Sequence, residues 1–427
     1  TFGGINLEDI KAPECFEIER RLKEELDIPV MHDDQHGTAI ISGAAMLNSL
    51  ELVGKEISQV KVVISGAGAS AISCADHWLQ LGVNIDNIKM IDSKGIITKK
   101  RSEAGKLSAE KERFSRDIDE GDLSSAMAGA DIFLGLSKGD IVSPDMLRAM
   151  AEKPIIFALA NPDPEIMPDI ALAARPDAIV ASGRSDFPNQ VNNVLGFPYI
   201  FRGALDCMAT KITPNMRMAA PRALADLAKE AVPEEVSQAY DLDFISFGKD
   251  YIIPKPFDRR VLVGVALAVA KAAVEDGVAG IPKSIFNMTS YQEELEARLG
   301  LTHSVMRIVM NRAKSSLKRI VFPEGDDPHI LRAAYELAHE NVCTPILLGR
   351  PDVIDALKEE YNLDFECEVI NPIHDPRRKG SYRDALFEMR SRKGLTVIDA
   401  QRILKSRTYF GAMMVEVGDA DGFVGGL

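Results

Sequence analysis

Apolar positions change period repeatedly along the first fifty residues. A strand ends at Ile5-Asn6-Leu7, a helix is predicted from about Pro13 to Leu26, and a second strand follows at Ile28-Pro29-Val30-Met31. Pro13 suits the first helical turn, and Cys15, Ile18, Leu22 and Leu26 recur at spacings of three and four residues opposite a charged face. Thr38 to Val53 is almost wholly apolar and is stopped by Gly54, the pattern of a helix buried on all sides.

From Val60 onward, β-branched runs alternate with helices. Strands are predicted at Val60 to Ser65, Ile88 to Asp92, Asp131 to Leu136, Pro154 to Ala160 and Ala178 to Ser182, with a helix reaching Leu81 after the first. Helical stretches from Thr213 to about Ala239 and from Arg260 to Glu275 close this region, and the charged segment Lys283 to Leu299 reads as a helical connector. A second such pattern begins after Thr302. It has strands at Arg319 to Phe322, Thr344 to Leu348 and Cys367 to Ile370, helices at Ile330 to Glu340 and Val353 to Tyr361, and further helices near Tyr382 to Arg392 and Thr396 to Lys405. The expected class is α/β, with a doubly wound, Rossmann-like parallel sheet.

Composition narrows the partners. The 427 residues suggest about three domains, and 46% hydrophobic residues suffice for packed cores. With 50 Lys and Arg against 64 Asp and Glu, the formal net charge is −14, and no dense basic run offers a footing for nucleic acid or an anionic membrane. The longest apolar stretch, Val261 to Val274, is interrupted by Gly264 and Lys271 and falls short of the roughly 20 residues of a membrane span, so a soluble protein is expected. Cys15, Cys74, Cys207, Cys343 and Cys367 are odd in number and form no C-x-x-C pair, which points to free thiols and a cytoplasmic location. The chain opens at Thr1 in mid-pattern and closes just after the strand-like Asp421-Gly422-Phe423-Val424, so a fragment is expected.

Three groups of residues carry candidate chemistry. Ser65-Gly66-Ala67-Gly68-Ala69-Ser70-Ala71 lies between a strand and a helix and fits G-x-G-x-x-[G/A], where small residues let the backbone approach a pyrophosphate. A tight turn without a ligand would use the same glycines. Asp92 ends the next strand, 24 residues beyond Gly68, where a ribose-binding acid is expected. Asp92 alone favours NAD, whereas Lys94 and Lys99-Lys100-Arg101 would neutralise a 2′-phosphate; these residues leave the cofactor open.

The second group is acidic: Glu8-Asp9 after one strand and His32-Asp33-Asp34-Gln35-His36 after the next. In a βαβ crossover both pairs project from one carboxyl edge, where four carboxylates repel unless a hard divalent ion such as Mg²⁺ or Mn²⁺ intervenes. Helix caps in a solvated loop are the simpler alternative. A zinc pair from His32 and His36 needs a helix where Ile28 to Met31 reads as a strand, and no glutamate follows His32. The third group, Asn161 with Asn192 and Asn193, lies just past apolar strands, where open α/β sheets bind ligands and where asparagines also make turns.

In this order, Gly-Gly-Ile-Asn-Leu-Glu8-Asp9, His-Asp33-Asp34-Gln-His-Gly-Thr, Ser-Gly66-Ala-Gly68-Ala, Ala-Leu-Ala-Asn161-Pro and Gln-Val-Asn192-Asn193 resemble malic enzyme, and Arg319-Ile-Val-Phe-Pro-Glu324-Gly325-Asp326 resembles the opening of a phosphotransacetylase. The whole chain is similar to the bacterial hybrid type. The resemblance implies residues 1–50 as the end of a malic N-terminal domain, 51–282 as an NAD(P)-binding domain, 283–301 as a linker and 302–427 as part of a phosphotransacetylase-like domain. It implies Glu8, Asp9 and Asp34 as ligands of Mg²⁺ or Mn²⁺, and Asp33 as the acid that partners a catalytic lysine. Ala67 to Ser70, just after Gly66, would hold the cofactor phosphates, with Asn161 at the nicotinamide and substrate and Asn193, with Asn192 beside it, at malate; Asp92 stays a ribose candidate from its spacing alone. The implied reaction turns L-malate into pyruvate and CO₂ with NADP⁺ (NAD⁺ being possible), in a homo-oligomer whose C-terminal domain responds to acetyl-CoA. The family's catalytic tyrosine and lysine lie upstream of Glu8, and neither residue type occurs among the seven residues there, so a poor catalyst is expected of the chain as given. An active phosphate acetyltransferase and a dinucleotide sensor without turnover are the competing readings.

Overall fold

Two short parallel strands, β1 (Ile5–Leu7) and β2 (Val30–His32), flank helix α1 (Glu14–Glu25) in the computed structural model, which describes residues 2–240, 242, 245–299 and 312–426. On α1 the buried residues are Cys15 and Glu19, while Ile18 is 37% exposed, so the expected apolar stripe is displaced toward a glutamate. The next helix, α2 (Asp33–Val53), starts five residues before the predicted Thr38 and ends on Gly54 at φ +69°, the left-handed C-cap that glycine adopts without strain. It is buried nearly all round, as its apolar sequence requires.

The alternation from Val60 onward forms a six-stranded sheet ordered β5-β4-β3-β6-β7-β8, where β3 is Val62–Ser65, β4 Ile88–Asp92, β5 Gly95–Ile96, β6 Ile132–Gly135, β7 Ile155–Ala158 and β8 Ile179–Ser182. All pairs are parallel except the β4–β5 edge. Side-chain alternation splits the strands between two cores: Val62 and Ile64 join Trp78, Phe157 and the helices α2 and α3 (Ala69–Leu81), whereas Val63, Phe133 and Ile156 face the other side. A sheet covered on both faces is the doubly wound arrangement.

The predicted helix from Thr213 to Ala239 is two helices, Pro214–Lys229 and Glu234–Ala239. Pro233 separates them, lacking an N–H and disfavouring helical geometry at Val232. In the expected connector, Met288–Arg298 is helical, with Tyr291 and Leu295 in the first core. The predicted boundary at Thr302, like residues 300 and 301 of the linker, lies outside the described residues.

The chain divides into two units, Thr1–Glu296 and Ala297–Leu427. The second has its own parallel sheet, ordered β11-β10-β9-β12, from Arg319–Phe322 (β9), Thr344–Leu348 (β10), Glu368–Ile370 (β11) and Gly422–Phe423 (β12). Val321, Ile346, Leu348 and Phe410 centre its core, and Phe410 belongs to a helix, Arg407–Glu416, absent from the sequence expectation. Among the described residues no helix is long and apolar enough to cross a membrane.

Candidate active site

Parallel pairing of Leu7 with His32 places Glu8-Asp9 and Asp33-Asp34 at one edge. Asp9 has φ +56°, a left-handed conformation that aspartate tolerates better than most residues, and its N–H donates to Asp34 Oδ2 at 2.9 Å. Glu8, Asp9 and Asp34 each offer an oxygen, and these atoms all lie within 4.8 Å of one another. Burial, then the Asp34 charge, raises the Glu8 carboxyl above its ordinary range. An oxygen-only set of mutually repelling acids suits a hard divalent cation.

Asp33 does not join the other three acids. It is 1% exposed and turned inward, where Asn193 Nδ2 donates to its Oδ2 at 2.5 Å, while Oδ1 is buried with no partner among the described residues. Burial, then the charges of Glu8 and Asp34, pushes Asp33 up to about 7, against the Asn193 bond. Neither do His32 and His36 converge. His36 Nε2 lies 2.9 Å from Glu19 Oε1 and its Nδ1 lies 3.0 Å from Arg217 Nη1, so both nitrogens of His36 are occupied. The guanidinium must donate, which leaves Nδ1 as acceptor and Nε2–H as donor to Glu19. Glu19 is held at about 2 because His36 and Lys23 outweigh its burial.

Across the carboxyl ends of β3, β4 and β6 runs a groove of about 930 Å³, lined by Gly66, Ala67, Gly68, Asp92, Lys111 and Lys138 among others. This is the crevice where open α/β sheets receive ligands. A Cβ on Gly66 would stand 2.6 Å from Leu136 O, and one on Gly68 would meet nothing within 4 Å, so the second glycine leaves space open rather than relieving a clash. Asp92 is not free at the groove wall: Arg101 Nη2 donates to both its oxygens, at 2.9 and 2.8 Å, and Lys111 Nζ lies at 3.6 Å. Of the basic residues singled out in the sequence, Arg101 makes this contact, whereas Lys100 pairs with Glu120.

Asp34, Ser70, Asn161, Asn192 and Asn193 line one cavity of about 240 Å³. Ser70 Oγ donates to the Asp34 carbonyl at 2.7 Å, tying the start of α3 to the acidic edge. Asn192 also acts as a turn residue, its Oδ1 accepting from Val194 N at 3.0 Å. Sequence reasoning missed Glu165. This fully buried residue accepts from Ser137 N at 3.0 Å and Ala160 N at 3.1 Å, joining the loops after β6 and β7. A Cβ on Gly135 would overlap its carboxyl group. No motif announces Glu165, Glu19 or Arg217; each is defined by partners distant in sequence.

Residues 35–243 match the family "Malic enzyme, NAD binding domain", and residues 304–427 match "Phosphate acetyl/butaryl transferase". The whole chain aligns at 48% identity with an NAD-dependent malic enzyme of Rhizobium meliloti and at 48% with an NADP-dependent malic enzyme of Escherichia coli, spanning 56% of the length of each. The crystal structure of an NAD-dependent malic enzyme from Thermotoga maritima is 44% identical, with a TM-score of 0.56 over 63% of this chain and 67% of that one. In ordered motifs, sequence and fold, the chain belongs to the malic enzyme family, with a phosphate acetyl/butaryl transferase domain following its NAD-binding domain.

Proposed function

We propose that the protein catalyses the divalent-metal-dependent oxidative decarboxylation of L-malate to pyruvate and CO₂ with reduction of NADP⁺. The observation that carries this reading is the approach of Glu8, Asp9 and Asp34 to within 4.8 Å, with Asp34 also lining the asparagine cavity. The names of the Rhizobium meliloti and Escherichia coli relatives support it. When bound, the cation supplies a Lewis acid for negative charge developing on the substrate, and the nicotinamide supplies the two-electron acceptor.

The chain's own residues hold, orient and screen. Glu8, Asp9 and Asp34 hold the cation, and the glycine turn receives the dinucleotide phosphates at the start of α3. Asn161 and Asn193 present amides that donate to a carboxylate and accept from a hydroxyl. Asp33, fixed by Asn193 through one oxygen, keeps the other free to accept from a catalytic ammonium group. The Arg101 and Lys111 contacts to Asp92 support NADP over NAD, because they occupy the acid that would take a ribose hydroxyl and add positive charge for a 2′-phosphate.

The test is steady-state kinetics of the protein at its full natural length, with malate and either NAD⁺ or NADP⁺. Reduction should require Mn²⁺ or Mg²⁺ and favour NADP⁺. Asp34→Asn should lower kcat/KM about a thousandfold or more while dinucleotide binding, followed by fluorescence, persists. Metal-independent turnover, or an Asp34→Asn enzyme as active as its parent, would overturn the reading. For the second unit, the family match over residues 304–427 supports a role in responding to an acetyl-bearing ligand such as acetyl-CoA.

A further inference from the structure

A second cavity in the first unit, about 400 Å³ in volume, is lined by residues of α2, α3 and the helix Pro214–Lys229, together with Arg113. It shares no lining residue with the dinucleotide groove or the asparagine cavity. Arg217 is its central group. One of its nitrogens, Nη1, donates to His36 Nδ1 at 3.0 Å, whereas Nε is buried with no partner among the described residues. The neighbouring carboxylates are engaged elsewhere: Asp76 is paired with Arg113, and Glu19 with His36 and Lys23. The guanidinium is therefore partly buried against a neutral imidazole, with Glu19 and Asp76 offsetting its charge only from a distance, and a directly bonded counter-charge would relieve the cost of burial. Beside it His77, 6% exposed, also has a buried Nε2 with no partner among the described residues.

We propose that this cavity binds a small oxyanion, the carboxylate or phosphate group of a metabolite, with Arg217 as its counter-charge and His77 and Gln80 as hydrogen-bonding partners. The Asp76–Arg113 pair at the rim is internally neutralised, so Arg217 sets the sign of the site. Burial, then the charge of Arg217, keeps His77 neutral by pushing it down to about 3, so its ring serves as a hydrogen-bonding group.

The cavity is wired to the acidic edge. Arg217 holds His36, His36 holds Glu19 at 2.9 Å, and Glu19 Oε1 accepts from His32 N at 3.1 Å, one residue before Asp33. An anion that draws on Arg217 therefore alters the support of the β2 terminus, and malate kinetics should respond. That kinetic effect rests on the proposed reaction; the binding itself does not.

The experiment is isothermal titration of the full-length protein with inorganic phosphate and, separately, succinate, in Tris chloride with saturating NADP⁺. At least one should bind with a millimolar or tighter Kd, and which of them binds identifies the preferred oxyanion. Arg217→Met should weaken that binding by about tenfold or more, and Arg217→Lys by less, because it keeps the charge but loses the fork. Unchanged NADP⁺ affinity in both variants shows that they are folded. The proposal is overturned if neither anion binds at about 20 mM. It is equally overturned if Arg217→Met binds as the parent does, or if a carboxylate of the protein itself occupies Arg217 in a crystal structure of the full-length molecule.

Discussion

Two glycines that look equivalent in the fingerprint are held for different reasons. Gly66 has φ +119° and a carbonyl where its Cβ would be, so Gly66→Ala strains the protein itself. It should lose about 1–3 kcal/mol in urea denaturation. Gly68 has an ordinary φ of −87° and free space in place of a Cβ, so Gly68→Ala should stay within about 0.5 kcal/mol of the parent and weaken dinucleotide binding instead. The spacing of the motif was legible; this division of labour was not, because it depends on Leu136, seventy residues away. The neighbours Asp33 and Asp34 pose a similar problem. Their place at a strand end is readable, but as successive residues of a helical turn they diverge by roughly 100°, one toward Glu8 and Asp9 and the other toward Asn193.

At the scale of elements, α2 shows where pattern reading succeeds and where it stops. Its apolar body and glycine stop were evident, but its first turn was concealed. Asp33 and Asp34 are polar residues at a helix start, where the exposed N–H groups favour negative charge, and hydrophobic periodicity does not register them. Within the helix, Asn48 is completely buried and its Nδ2 donates to Ala225 O and Ile252 O, each at 2.9 Å, joining α2 to two other segments. Asn48→Ala leaves both carbonyls short of a donor and should cost about 2–3 kcal/mol in chemical denaturation, more than an exposed amide would. The Glu19 side of α1 misled for the converse reason. A buried glutamate breaks the apolar stripe, and only its partners His36, Lys23 and His32 explain its position.

For the molecule as a whole, the alternation of strands and helices disclosed both α/β units, while the β5-β4-β3-β6-β7-β8 order depends on pairings between segments remote in sequence. A buried neutral histidine gives the first unit a definite acid sensitivity. His77 titrates near 6.5 when unfolded but at about 3 in the fold, so its contribution is complete above pH 6.5 and is lost as the pH falls below it. Between these values the unfolded chain holds a proton that the folded one lacks, which removes up to about 1.4 kcal/mol of stability per pH unit. In His77→Gln, urea denaturation between pH 6.5 and 5 should show a shallower pH slope by about that amount; an identical slope would place the acid sensitivity elsewhere.

The bond from Ser70 Oγ to the Asp34 carbonyl joins parts of the molecule with different tasks. The turn that would seat the dinucleotide and the helix start that would grip the cation share one pin. A change that moves the first turn of α3 strains this bond, which couples the two regions by about 1 kcal/mol. A redesign of the dinucleotide turn should therefore be checked for its effect on metal affinity as well.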